Sequence, residues 1–198
     1  MTVESFEFKV VVSGPFGVGK TTMISNVSNV QVVGTEVPTT GAEAEFKETT
    51  TVGLEYGLFE ADTADFNLQL LLYGTPGQER FRYMWDIASE GADGHVVLVD
   101  ATRPDTWADA KQVLAFFGRR AEACVLAVNR AEPHSPQLEM FQRRLSVPVD
   151  VPIVACDVTS EASARAVLVE LFNVILDKFE EPSHGNGMEA RHGSAVRS

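Results

Sequence analysis

The sequence predicts a three-layer α/β/α domain around a mostly parallel sheet of about six strands with one antiparallel edge strand. Three observations carry that prediction. Apolar runs of strand length alternate with helical patterns along most of the chain. Three of the runs, 68–73, 96–99 and 124–128, are almost continuously apolar, as strands buried on both faces are. A glycine-rich loop, Gly14-Pro15-Phe16-Gly17-Val18-Gly19-Lys20-Thr21, joins the first strand to the first helix.

Strands are expected at 6–13, 52–60, 66–73, 94–100, 123–129 and 151–156. The run at 52–60 alternates apolar and polar residues, so it is expected at an edge. There it pairs antiparallel with the next strand through the polar turn 61–65. The first helix follows the glycine loop through Val27, and a short one lies between Gln78 and about Ser89. Pro104 or Asp105 opens the next, with Trp107, Ala110, Val113, Leu114 and Phe117 on one face and Gly118 as its stop. Ser135-Pro136 opens a fourth through Leu138, Met140, Phe141 and Leu145, ending before Pro148. The last runs from Ser160 to about Glu180. Right-handed crossovers between parallel strands complete the doubly wound arrangement. Residues 36–51, rich in Thr and Glu, are expected as a long loop close to the first helix. Residues 181–198 read as a disordered tail, which leaves 1–180 as the folded domain. His184 and His192 lie in that tail and read as solvent-exposed rather than as metal ligands.

With 28 acidic against 16 basic residues among 198, the formal net charge is -12. That balance argues against nucleic acid or an anionic membrane surface as a direct partner. Cys124 and Cys156 sit inside apolar runs and read as buried strand residues, not as a disulfide or a metal site. The start, Met1-Thr2-Val3-Glu4, lacks a secretory pattern and the glycine that myristoylation needs, and the end lacks a prenylation cysteine. No apolar run approaches the roughly 20 residues of a membrane helix. The expectation is a cytoplasmic protein without an integral membrane segment.

The loop 14–21 fits the phosphate-binding P-loop pattern GxxxxGK[ST], in the strand–loop–helix context that pattern requires. Glycines at Gly14, Gly17 and Gly19 let the backbone curl. N–H groups at these residues and at Phe16 and Val18 can then point inward at phosphate oxygens. The helix start at Thr21 and Thr22 adds its positive end. Lys20 supplies a point charge to the β- and γ-phosphates, and the Thr21 hydroxyl is the expected Mg²⁺ ligand. A P-loop by itself admits kinases, ATPases, nucleotide transferases and GTPases.

Further motifs narrow the choice. At Gly74-Thr75-Pro76-Gly77-Gln78-Glu79-Arg80-Phe81 the chain resembles the Ras-like small GTPases, whose second switch reads DxxGQE at this place. The resemblance implies a P-loop NTPase fold and a molecular switch that binds GTP or GDP with Mg²⁺. It also implies that Gly77 offers its N–H to the γ-phosphate and that Gln78 orients the attacking water. Glu48-Thr49-Thr50-Thr51-Val52-Gly53 occupies the place of the first switch. Thr51, just before Val52-Gly53 as in the Arf-type TIG pattern, is the threonine chosen to close on Mg²⁺. Asn129-Arg130-Ala131-Glu132 resembles the guanine-reading NKxD, with Glu132 standing for Asp. Asn129 is then expected on the guanine O6/N7 side, Arg130 stacked over the base, and Glu132 at the ring N1–H and 2-amino group. Asp157-Val158-Thr159 sits loosely where the family has SA[K/L], with the Val158 N–H directed at guanine O6.

The resemblance covers nearly all of 6–180. The stretches FGVGKTT, TTTVGLEYG, LYGTPGQERFRYMWD and GHVVLVDAT look closest to the small GTPases of bacterial conservon operons, and more distantly to the MglA-type polarity GTPases. Those relatives imply an exchange or activating factor, regulation by Roadblock-type domains and an effector at the switches, here 36–51 and 74–86. Phe81, Tyr83 and Trp85 read equally as core or as partner surface, and Glu79 and Arg80 as solvated charges. Arg80 and Arg82 are the chain's own candidates for an arginine finger, beside one supplied by a partner. One departure bears on mechanism: Gly74 stands where the family carries the aspartate that holds Mg²⁺ through a water. Either Thr21, Thr51, phosphates and waters hold the ion alone, or an acid from elsewhere substitutes. Rival readings are a nucleotide-gated binding module with negligible hydrolysis and a P-loop ATPase or kinase. The acceptor site and arginine-rich lid that a kinase needs are not visible.

Overall fold

A computed structural model of the chain describes residues 4–34, 36–38, 49–51, 53–63, 66–78, 81–118, 123–133 and 137–180, with the backbone alone at 36–38, 49–51, 137, 179 and 180. In chain order the elements are β1 (Glu4–Ser13), α1 (Lys20–Val27), β2 (Glu36–Pro38), β3 (Thr49–Thr51), β4 (Glu55–Asp62), β5 (Phe66–Gly74) and α2 (Tyr83–Ser89). There follow β6 (Gly94–Asp100), α3 (Trp107–Phe117) behind a 3₁₀ turn at Pro104–Thr106, β7 (Ala123–Asn129), α4 (Gln137–Leu145), β8 (Ile153–Cys156) and α5 (Glu161–Glu180). Six strands form one sheet in the order β4-β5-β1-β6-β7-β8. β1 pairs parallel with β5 and β6, β7 pairs parallel with β6 and β8, and β4 runs antiparallel to β5 at the edge.

The central strands are apolar on both faces because both faces are covered. Val10, Val12, Val96, Leu98, Val125 and Ala127 pack with Met23 and Ile24 of α1 and with Leu168 and Leu171 of α5. The alternate residues Val11, Val97, Val99, Leu126 and Val128 face the other way, against Trp85, Leu114, Phe117 and Phe141. Every residue of β6 and β7 is buried. Each such Val or Leu contributes roughly 1.5–3 kcal/mol on leaving water, so these strands anchor the sheet. Cys124 and Cys156 are buried and free.

Several expectations change in detail: the strand expected at 52–60 spans Glu55–Asp62, and that expected at 151–156 spans Ile153–Cys156. The stretch 36–51, expected as a loop, carries a short antiparallel ladder in which Glu36 pairs with Thr51 and Pro38 with Thr49. Backbone hydrogen bonding makes this ladder, so no apolar alternation is needed to form it. Residues 39–48 lie outside the described residues, as do Ser135-Pro136 and the stretch 181–198 with His184 and His192. On α2 the aromatic residues divide: Trp85 is buried, while Tyr83 is exposed together with Ile87 one turn later.

Candidate functional site

The loops that follow β1, β5, β7 and β8 meet at the carboxyl ends of the parallel strands, where open α/β sheets present their ligand crevice. β1 runs into the P-loop at Gly14, whose φ of +150° and close fit both require glycine: a Cβ there would lie 2.2 Å from the Leu98 carbonyl oxygen. Gly19, at φ +106°, caps α1 in the left-handed conformation. α1 has no side-chain cap and no acidic residue in its first turn, so its positive end is left to an anion. Lys20 is buried, and its Nζ donates to the carbonyls of Gly14 (2.9 Å) and Pro15 (2.8 Å). Phe16 and Gly17 lie at the outer turn of the loop, Val18 is buried beneath it, and Thr22 is exposed on the first turn of α1.

The segment after β5 lies against this loop. The Thr75 N–H donates to the Val12 carbonyl at 3.0 Å. Gly77 then passes so close that a Cβ on it would come within 2.7 Å of both Lys20 Nζ and Phe16 Cα. Gln78 is buried, and its carbonyl accepts from the Phe81 N–H at 3.0 Å. The Thr21 hydroxyl donates to Glu55 Oε1 at 2.5 Å, and Glu55 is only 3% exposed. Hydroxyl and carboxylate oxygens are the donors that a hard cation such as Mg²⁺ takes, so the residues present fit that ion. The Thr51 side chain lies outside the described residues, as do Glu79 and Arg80.

On the other side of the crevice Asn129, 2% exposed, joins three segments. Its Nδ2 donates to the Val18 carbonyl at 3.0 Å. Its Oδ1 accepts from the N–H groups of Arg130 (3.0 Å) and Val158 (3.2 Å). The Val158 carbonyl accepts in turn from Asn26 Nδ2 at 2.6 Å, which fixes the loop after β8 to α1. Arg130 has positive φ (59°), and its guanidinium pairs with the fully buried Asp100 at the end of β6. Glu132 is exposed beyond it. Asp157 is also exposed, and hydrogen bonds from the Thr159 hydroxyl and N–H hold its carboxyl below the usual carboxylate range.

The fold therefore gathers Gly14, Phe16, Gly17, Val18, Gly19, Lys20, Thr21 and Gly77 around one end of the crevice, and Asn129, Arg130 and Val158 around the other. Three residues that the sequence motifs do not single out join them. Glu55 reaches Thr21 from β4, Asp100 holds Arg130, and Arg103 donates to the Phe16 carbonyl at 3.2 Å while pairing with Asp105 at 2.9 Å. Arg82, a candidate finger on sequence, donates to Gln112 Oε1 at 3.0 Å and lies over the Trp85 ring.

Comparison with known proteins agrees with this fold. The family model described as "Ras: Ras family" matches residues 9–133. An uncharacterised protein of Methanocaldococcus jannaschii is 33% identical over 103 residues, 52% of this chain and 57% of that protein. The Ras-related protein Rab-25 of Canis lupus familiaris is 24% identical over 194 residues, 93% of this chain and 85% of that protein. The Ras-related protein Rab-1D of Dictyostelium discoideum is 28% identical over 116 residues, covering 59% of this chain and 51% of its own length. The chain thus spans little more than half the length of the first and third of these relatives.

Proposed function

The chain belongs to the Ras family, and from that premise we propose that it is a regulatory small GTPase that binds GTP or GDP with Mg²⁺ and hydrolyses GTP slowly as a molecular switch. The observation that carries this reading is the approach of Gly77 to Lys20 and Phe16, where a single methyl group would not fit. A γ-phosphate entering beside Lys20 must displace Gly77 or bond to its N–H, so the position of this segment depends on whether the third phosphate is present. Lys20 releases its two loop carbonyls and turns its charge to the phosphates, and the N-terminus of α1 receives them. Mg²⁺, when bound, neutralises developing charge on the phosphates, and Thr21 and Thr51 are the residues offered to it. Gln78 positions the water whose attack yields GDP and phosphate. On the base side Asn129, Arg130, Glu132, Asp157 and Val158 form the guanine pocket.

Tyr83 and Ile87, exposed one turn apart on α2, suit an effector that reads this segment. Kinship with the conservon-type and MglA-like GTPases, a Roadblock-type regulator and a cytoplasmic location belong to the same reading. No helix among the described residues is long and apolar enough to cross a membrane. A binding module with negligible turnover is the second reading, favoured by the burial of Gln78. Competition of GDP, GTP and ATP for the full chain, followed with a fluorescent nucleotide, tests the assignment. Guanine nucleotides are expected to win, and a preference for ATP overturns the guanine reading.

A further inference from the structure

We propose that Glu55 is the residue that takes over the work of the carboxylate missing at Gly74, acting with Thr21 on the Mg²⁺ of the bound nucleotide; this rests on the GTPase reading above. In the β4–β5 ladder Glu55 is the direct partner of Gly74. A Cβ built on Gly74 would lie 2.7 Å from Glu55 Oε2 and 3.2 Å from Glu55 Cβ. The glutamate side chain therefore occupies the space into which a side chain at 74 would project. Its other oxygen, Oε1, accepts the hydroxyl hydrogen of Thr21 at 2.5 Å. One carboxylate thus fills the vacated place and touches the hydroxyl that the P-loop offers to the cation.

The surroundings support a role beyond packing. Glu55 is a carboxylate only 3% exposed, set at the end of a strand face and held from the P-loop side by the Thr21 hydroxyl. Glu55 shares its strand face with Gly57 and Phe59, residues that lie against α1 and the apolar core, where an ordinary strand would place an apolar side chain. Among the described residues no group of three or more His, Cys, Asp or Glu is placed to hold an ion by itself. A single carboxylate beside a single hydroxyl matches instead the way Mg²⁺ is held with phosphates and waters completing its shell. The positions also exclude one another: an aspartate at 74 and a glutamate at 55 would compete for one volume.

The test is release of fluorescent GDP from the full chain, with Mg²⁺ titrated and with EDTA. Wild type is expected to release GDP slowly in Mg²⁺ and fast in EDTA. Glu55→Gln, nearly the same shape without the charge, is expected to need about 10–100-fold more Mg²⁺ for the same retention. Its rate in EDTA should equal that of wild type. Moving the carboxylate across the ladder, Glu55→Ala with Gly74→Asp, is expected to restore most of the Mg²⁺ dependence, with Ile24 Cδ1 at 2.7 Å giving way. Should Glu55→Gln fail to fold, Glu55→Asp keeps the charge one methylene back, and it is expected to need an intermediate Mg²⁺ concentration. Equal Mg²⁺ dependence in wild type and Glu55→Gln, or rates that rise in parallel with and without Mg²⁺, overturns the assignment of Glu55 and leaves the switch reading standing. A wild-type chain that binds no GDP overturns the switch reading and this one with it.

Discussion

Asn129 and Val18 are 111 residues apart in sequence and joined by a single 3.0 Å hydrogen bond, from the amide of one to the P-loop carbonyl of the other. With Oδ1 accepting from Arg130 and Val158 as well, one buried side chain ties the P-loop to the loops after β7 and β8.

Asn129→Ala leaves a buried carbonyl and a buried N–H without this partner, and each such group costs about 1–3 kcal/mol. The melting temperature is expected to fall by roughly 5–10 °C, and nucleotide affinity with it. Thermal melts with and without GDP measure both, and an unchanged melting temperature would show that the bridge contributes nothing.

Gln78→Leu is expected to slow single-turnover GTP hydrolysis about a hundredfold, the scale of a misplaced reacting group, with GTP affinity little changed. Phosphate release from the two proteins decides this. Equal rates remove Gln78 from the reaction and favour the module without turnover.

His95, inside β6, is fully buried against Phe117, and neither ring nitrogen has a hydrogen-bond partner among the described residues. Burial, with the charge of Lys9 adding to it, lowers its pKa from 6.5 to about 4. The unfolded chain therefore takes up this proton first as pH falls. Stability from this group is complete above about pH 6.5 and is lost progressively down to about pH 4, by roughly 3 kcal/mol in all. Urea midpoints across that range should fall more steeply for wild type than for His95→Leu. Parallel curves would falsify the claim.

Cys124 and Cys156 have thiols pushed up to about 12, by burial first and then by Asp150 and Asp157 respectively. Because the thiolate is the reactive form, neither should react with a disulfide reagent at neutral pH until denaturant opens the sheet. Prompt labelling of the native chain would contradict their placement.

How much was legible follows from what each element is made of. The limits of β6 and β7 match the sequence expectation because strands buried on both faces are written as unbroken apolar runs. The β2–β3 ladder was not legible, since its residues pair through backbone groups that any sequence carries. Asn129 is singled out only through its resemblance to NKxD, whereas the P-loop announces itself by spacing. Glu55 does not: in the alternating run at 52–60 it looks like one more solvent-facing polar residue. Only the register of the hairpin, closed by the hydrogen bonds between Thr63 and Phe66, brings it opposite Gly74. Arg103 is equally silent, because nothing in the run after β6 says that its guanidinium folds back onto the P-loop.

Glu55 is also the first residue of β4, so its pairing with Gly74 is the last rung of that ladder. End rungs open most readily, having a neighbour on one side only. Traction on the chain just upstream, where β3 ends at Thr51, would fray this rung before the others of the β4–β5 ladder and draw the carboxylate away from Thr21. A protein gripping the β2–β3 segment could therefore loosen the far side of the P-loop without touching it, working the strand end as a latch.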